Sequence, residues 1–226
     1  QKKYENVKVV KWENEFNYSK LNNFGVQFAT GKYYIFLNND VEMIGTDWIL
    51  RLSGDCHRNK VGVTGVKLYY PDDTVQHAGI VIGIGGSKRG IAANMFQGLP
   101  REEHGYQNRA SLQADYSAVT AACMMVKKDV FDAVDGFTEK LQVAFNDVDF
   151  CLKVRKKGYL VMYDPKIEGY HYESKSRGAE DTPEKVRRFQ GEIDTFRVLW
   201  KDILKDGDPY YNRNFSLVSN QYLLGK

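Results

Sequence analysis

The sequence predicts an α/β fold, a mostly parallel sheet with flanking helices, and three observations carry that expectation. Short apolar, β-prone runs recur at Tyr33–Leu37, 61–70, 75–84 and 159–163. Segments of helical period stand between several of them, and strand–helix alternation favours parallel pairing. With 226 residues, 42% of them hydrophobic, the chain has enough apolar material for one good core.

Taken in order, residues 7–10 read as a short strand, followed by a helix over 21–29 that Gly31 can close in a left-handed cap. Tyr33–Leu37 is uninterrupted and short, as a strand covered on both faces would be. Thr46 can cap a helix containing Trp48, Ile49 and Leu52. Strands over 61–70 and 75–84 flank the turn Pro71-Asp72-Asp73. Residues 85–113 turn to Gly, Arg, Asn, Glu and His without a period, which reads as a long surface loop and a functional lid. Residues 114–126 return to small and apolar types, 146–157 read as a helix and 159–163 as a strand. Thr182-Pro183-Glu184 starts a last helix whose Val186, Phe189, Ile193, Phe196 and Trp200 form one apolar stripe. The expected organisation is one main domain over 1–180, with a helix and extended tail over 181–226 packed on it.

The charge balance excludes some partners. Lys and Arg number 32 against 29 Asp and Glu, spread along the chain, so no basic stripe calls for nucleic acid. Cys56, Cys123 and Cys151 show no CxxC spacing, which argues against zinc and a disulfide framework and for a reducing, cytoplasmic setting. No apolar stretch approaches the roughly 20 residues of a membrane span. Contact with the inner face of a membrane is compatible with this through parts outside the segment.

Three constellations could carry chemistry. Asn38-Asn39-Asp40-Val41-Glu42 follows a buried strand, where a carboxylate can reach a hard cation that also holds phosphates. An ordinary turn explains the same residues. Asn146 can cap the helix that follows, leaving Asp147 and Asp149 in its first turn. Asp147 there is a candidate base, although both carboxylates also simply complement the helix dipole. His171-Tyr172-Glu173-Ser174-Lys175-Ser176-Arg177-Gly178 places a potential metal ligand beside cations and hydroxyls suited to phosphate. A structural histidine in a solvated basic loop is the plainer account. His77, in Gln76-His77-Ala78-Gly79, lies within a strand and reads as structural.

Together with Phe16-Asn17-Tyr18-Ser19-Lys20-Leu21-Asn22-Asn23-Phe24-Gly25 and Phe145-Asn146-Asp147-Val148-Asp149-Phe150-Cys151-Leu152, these stretches resemble a bacterial family-2 glycosyltransferase of the GT-A (Rossmann-like) fold, close to rhamnosyltransferase-like enzymes of surface polysaccharide synthesis. The resemblance implies a nucleotide-sugar donor, a glycan or lipid-linked glycan acceptor and Mn²⁺ or Mg²⁺. It places Asp40 and His171 at the metal, Asp147 as catalytic base, and Asn23, Gly25 and Asn38 on the donor side, where Lys175 and Arg177 of the basic loop would meet the diphosphate; His77 and Asp149 are the candidates toward the acceptor. Asn38 and Asn146 replace the first acidic residue of the family's DxD and ED motifs. The family's opening strands are unmatched, so the fold is expected to be N-terminally truncated. That would leave an open sheet edge able to pair in a homodimer. A non-catalytic module derived from such a domain is the rival reading. Glycoside hydrolysis by Asp147 and Asp149 is not, because residues two apart on a helix do not share a face.

Overall fold

The structure, a computed structural model, describes residues 6–85, 90–173 and 182–225. Helix α1 (Tyr18–Val26) leads into β1 (Tyr33–Leu37), β2 (Val41–Ile44), α2 (Trp48–His57) and the long β3 (Val61–Tyr69). Short strands β4 (Val75–His77), β5 (Ile80–Ile82), β6 (Ala92–Asn94) and β7 (Ala114–Asp115) follow, with a 3₁₀ turn at Tyr106–Ser111. The chain closes with β8 (Cys123–Lys127), α3 (Lys128–Ala133), α4 (Asn146–Lys156), β9 (Leu160–His171), α5 (Pro183–Leu199) and α6 (Lys201–Asp206).

The main sheet runs β1-β8-β3-β9-β2, with β4 added to β3 and β7 to β9. The α/β class is as expected, but the sheet is mixed rather than mostly parallel. Only β3 and β9 pair in parallel; the other pairings among the described residues are antiparallel. The reason is that β8 arrives from β7 through a loop instead of a crossover helix. It inserts antiparallel between β1 and β3, so those two and β9 share one direction.

Two apolar layers cover the sheet. Leu52 and Cys56 of α2 pack on Val66, Leu68, Met125 and Ile167 on one face. On the other, Phe131, Phe137, Phe150, Phe196 and Trp200 join a larger cluster with Tyr34 and Phe36 of β1. The three cysteines are free and buried.

Several local expectations change. Residues 7–10 form no strand, and Val7 and Val9 stay exposed, because no neighbouring strand takes their hydrogen bonds. Helix α1 starts on Asn17, whose side chain accepts from the Lys20 N–H, and ends at Val26. Its last groups turn tighter, with the N–H groups of Gln27, Phe28 and Ala29 bonding three residues back. Asp47 rather than Thr46 precedes α2, and its carboxylate accepts from Arg51 Nε at 2.6 Å. The expected strand over 75–84 is broken at Gly79, whose φ of +89° and contact with the Tyr116 ring, 2.6 Å from where a Cβ would sit, admit no side chain.

The expected surface loop of 85–113 is partly core: Ile91, Met95, Phe96 and Ala110 are buried. The expected tail is packed too, through Tyr211 and Tyr222, and Asp208 accepts from the Ile82 N–H at 2.7 Å. Helix α5 is capped by Thr182, and its stripe docks by its later half, since Phe196 is fully buried while Val186 and Phe189 remain exposed. Residue 181, where the tail unit was expected to begin, lies outside the described residues.

Candidate functional site

A cleft of about 450 Å³ opens where the β1–β2 turn, the end of β9, the 120–122 segment and the start of α4 meet. Asn38, Asp40, Asp147 and His171 all line it.

One wall is set by main-chain pairing. The Asn38 N–H donates to the Ala122 carbonyl at 2.8 Å, and β2 pairs with β9 so that Val41 lies opposite His171. The Tyr172 N–H donates to the Asp40 carbonyl at 2.9 Å. These bonds bring His171 Nε2 to 3.2 Å from Asp40 Oδ1 and 3.4 Å from Asn38 Nδ2. His171 Nδ1 faces Gln76 Oε1 at 2.7 Å. Asp40 Oδ1 is buried and accepts no hydrogen bond.

A buried acceptor oxygen with no donor, beside a ring nitrogen, fits a divalent cation. Two ligands about 2.1 Å from an octahedral cation, on adjacent corners, lie about 3 Å apart. Asp40 and His171 have that spacing. They do not make a complete cage, because no group of three His, Cys, Asp or Glu suited to a metal occurs among the described residues. Mg²⁺ and Mn²⁺ sites of this kind are completed by water and substrate phosphates.

The facing wall is the start of α4. Phe145, just before the helix, holds a left-handed backbone with φ 61°, a conformation that costs a non-glycine residue about 1–3 kcal/mol. Its ring is kept there by Phe189 and Phe196, with centroids at 5.7 and 5.6 Å. The turn aims Asp147 into the cleft. Asn146 is therefore the first helical residue rather than the cap, and its amide donates to the Val143 carbonyl at 3.0 Å.

Asp147 accepts from the Ala121 N–H at 3.2 Å and the Val148 N–H at 2.8 Å. Burial raises its pKa above the ordinary carboxylate value, and those N–H bonds and the Thr120 hydroxyl offset part of the rise. The raised pKa suits a proton acceptor, while the donors fix its direction.

Other expected site residues stand elsewhere. Asp149 points away from the cleft and accepts from Trp200 Nε1 at 2.8 Å, so it anchors the end of α5 rather than an acceptor. His77 is buried; Nδ1 lies 2.6 Å from Asn94 Oδ1 and Nε2 accepts from the Gly79 and Thr120 N–H groups at 3.4 Å. It supports the 120–122 wall from behind. Asn23 exchanges hydrogen bonds of 2.9 Å with the Phe137 backbone, tying α1 to the 137–141 segment, and Gly25 is exposed on the outer side. Neither lines the cleft. Lys175 and Arg177 lie outside the described residues. Gln76, Thr120, Phe145 and Glu173 were not picked out as site residues, although Gln76, Phe145 and Glu173 stand in the same stretches as His77, Asp147 and His171.

The fold is of the GT-A type, with the cleft at the carboxyl end of β1. Residues 1–134 match the model of glycosyl transferase family 2, and the chain belongs to that family. It is 46% identical over 219 residues to the uncharacterized protein y4gI of Sinorhizobium fredii, covering 96% of this chain and 24% of that one. It is 33% identical over 209 residues to the O-antigen biosynthesis protein RfbC of Myxococcus xanthus, covering 92% of this chain and 16% of that one. The chain thus spans a quarter or less of the length of these relatives. Among solved structures, GalNAc-T7 with UDP, GalNAc and Mn²⁺ superposes with a TM-score of 0.61 at 14% identity, over 88% of this chain and 38% of that one. This likeness shows the fold. No helix among the described residues is long and apolar enough to cross a membrane.

Proposed function

We propose that this glycosyltransferase region moves a sugar from a nucleoside-diphosphate donor to a hydroxyl acceptor by direct displacement, inverting the anomeric carbon. The observation that carries the reading is one cleft holding the Asp40–His171 pair on one wall and Asp147 on the other.

Asp147 takes the proton of the acceptor hydroxyl as its oxygen forms the new bond to the anomeric carbon. The bond from that carbon to the diphosphate oxygen breaks, and the diphosphate leaves with the electron pair. The N–H groups of Ala121 and Val148 hold the carboxylate in place during this transfer. Asp40 and His171 would hold Mn²⁺ or Mg²⁺, which supplies positive charge against the departing diphosphate. GalNAc-T7 was solved with UDP, GalNAc and Mn²⁺, a ligand set in keeping with this. RfbC is described as an O-antigen biosynthesis protein, which supports a glycan or lipid-linked glycan acceptor in surface polysaccharide synthesis.

The test is Asp147→Asn in the full-length enzyme. A fall in transfer of about 10²–10⁴-fold is expected for loss of a general base. Retention of most activity excludes Asp147 from that role.

A further inference from the structure

Two of the chain's four histidines, His77 at the end of β4 and His171 at the end of β9, are buried, and both are held in the same manner at one nitrogen. Each turns Nδ1 to a side-chain amide oxygen: Asn94 Oδ1 at 2.6 Å for His77, Gln76 Oε1 at 2.7 Å for His171. They differ at Nε2. That of His77 receives two backbone N–H groups, whereas that of His171 stands 3.4 Å from the Asn38 amide nitrogen and 3.2 Å from an Asp40 carboxylate oxygen that has no hydrogen to give.

The amide of Gln76 cannot be turned round without loss. Its Nε2 donates to Glu173 Oε2 at 3.2 Å and to the His171 carbonyl at 3.4 Å. Reversed, it would set an oxygen against a carboxylate and a carbonyl. The residue is only 4% exposed, so water does not replace these partners. With Oε1 fixed toward Nδ1, a neutral His171 carries its proton on Nδ1 and directs its Nε2 lone pair to Asp40.

We infer that Gln76 is a positioning residue, whose amide, clamped by Glu173, orients His171 so that Nε2 and Asp40 Oδ1 present one paired site to a divalent cation. This rests on the metal reading of the Asp40–His171 pair. A ligand histidine whose second nitrogen is bonded to a fixed acceptor keeps one ring orientation and tautomer, and loss of such a partner commonly weakens metal binding about 10–100-fold.

Two readouts test it on the protein as it stands. Long-range ¹⁵N–¹H correlation on the metal-free chain, with the His171 signals assigned by their loss in His171→Gln, reads the ring directly. A neutral ring protonated at Nδ1 is expected, and one protonated at Nε2 overturns the inference. Mn²⁺ titration followed by electron paramagnetic resonance, with a nucleoside diphosphate present, compares the chain with Gln76→Leu. A rise in the Mn²⁺ dissociation constant of about 10–100-fold is expected. An unchanged constant in a folded variant overturns it. If the unaltered chain takes up no Mn²⁺, the metal reading fails separately, and the metal-free ring still decides whether Gln76 sets the tautomer.

Discussion

On the cleft side of α4, polar atoms stand open to a ligand; on the side beneath α5, the same residue types are taken up by packing. Asp147 keeps a carboxylate at the cleft, while Asp149, two residues on, is 1% exposed and bonded to Trp200. Glu192 repeats the second pattern, accepting from the Val143 N–H at 2.7 Å. The histidines divide likewise, His77 satisfied behind the wall and His171 facing Asp40 on it. The contrast teaches that residue type does not mark the site. What marks it is an unbonded acceptor that lines the cleft: Asp149 Oδ2 and Glu192 Oε2 also accept no hydrogen bond, but they lie beneath α5, each beside a cation, Lys153 at 4.0 Å and Arg188 at 3.5 Å.

Substitutions on the two sides should therefore fail in different ways. The largest effect belongs to Asp147→Asn, expected to remove about 10²–10⁴-fold of transfer while leaving the fold intact. Its stability should change little at neutral pH, because relief of the buried charge is offset by loss of one of the two N–H bonds that the carboxylate oxygens accept. A carboxyl whose pKa is raised in the folded state favours folding below the ordinary carboxylate range, and that contribution is lost as pH climbs through the raised value. Thermal unfolding of the variant at pH 7 checks this; marked destabilisation would erase the contrast.

Phe196→Ala should act on stability, by about 3–5 kcal/mol, because the ring is fully buried and also holds Phe145 in its left-handed turn. Urea unfolding measures it. Where the variant stays folded, metal binding at Asp40 should persist although Asp147 is less well aimed.

A third expectation concerns acid. Burial pushes the His77 pKa down to about 4, against an ordinary value near 6.5. Between those values the unfolded chain binds a proton that the folded one refuses, so stability falls as pH drops through that window, by about 3 kcal/mol in total. Unfolding free energies measured across the window should slope, and His77→Gln should flatten the slope. The smallest effect is Asp149→Asn, expected to cost about 1.5–3 kcal/mol through the weakened bond to Trp200, with turnover per folded molecule near that of the unaltered chain. A loss of turnover matching Asp147→Asn would move Asp149 into the chemistry.

The sequence shows some of this and hides the rest for identifiable reasons. Tyr33–Leu37 was legible as a strand because a short continuous β-prone run favours one, although it is not covered throughout, with Tyr34 and Phe36 buried and Leu37 exposed; Asp40 followed from its place just beyond that strand. Residues 7–10 are β-prone too, yet a strand exists only with a neighbour to pair with. Asp147 and Asp149 share a motif, and only the direction of each side chain on α4 separates them. The mixed sheet was missed because strand–helix alternation does not register a strand, β8, that enters from a loop. Ile91, Met95 and Phe96 join the core without a period to announce them. Gln76 and His171 are 95 positions apart, and nothing local connects them.

The most direct test of the open-acceptor site is Mn²⁺ binding in the presence of a nucleoside diphosphate, compared between the unaltered chain, Asp40→Ala and Asp147→Asn. Metal uptake that is lost in Asp40→Ala and kept in Asp147→Asn is the predicted result. Uptake indifferent to Asp40 would contradict the account.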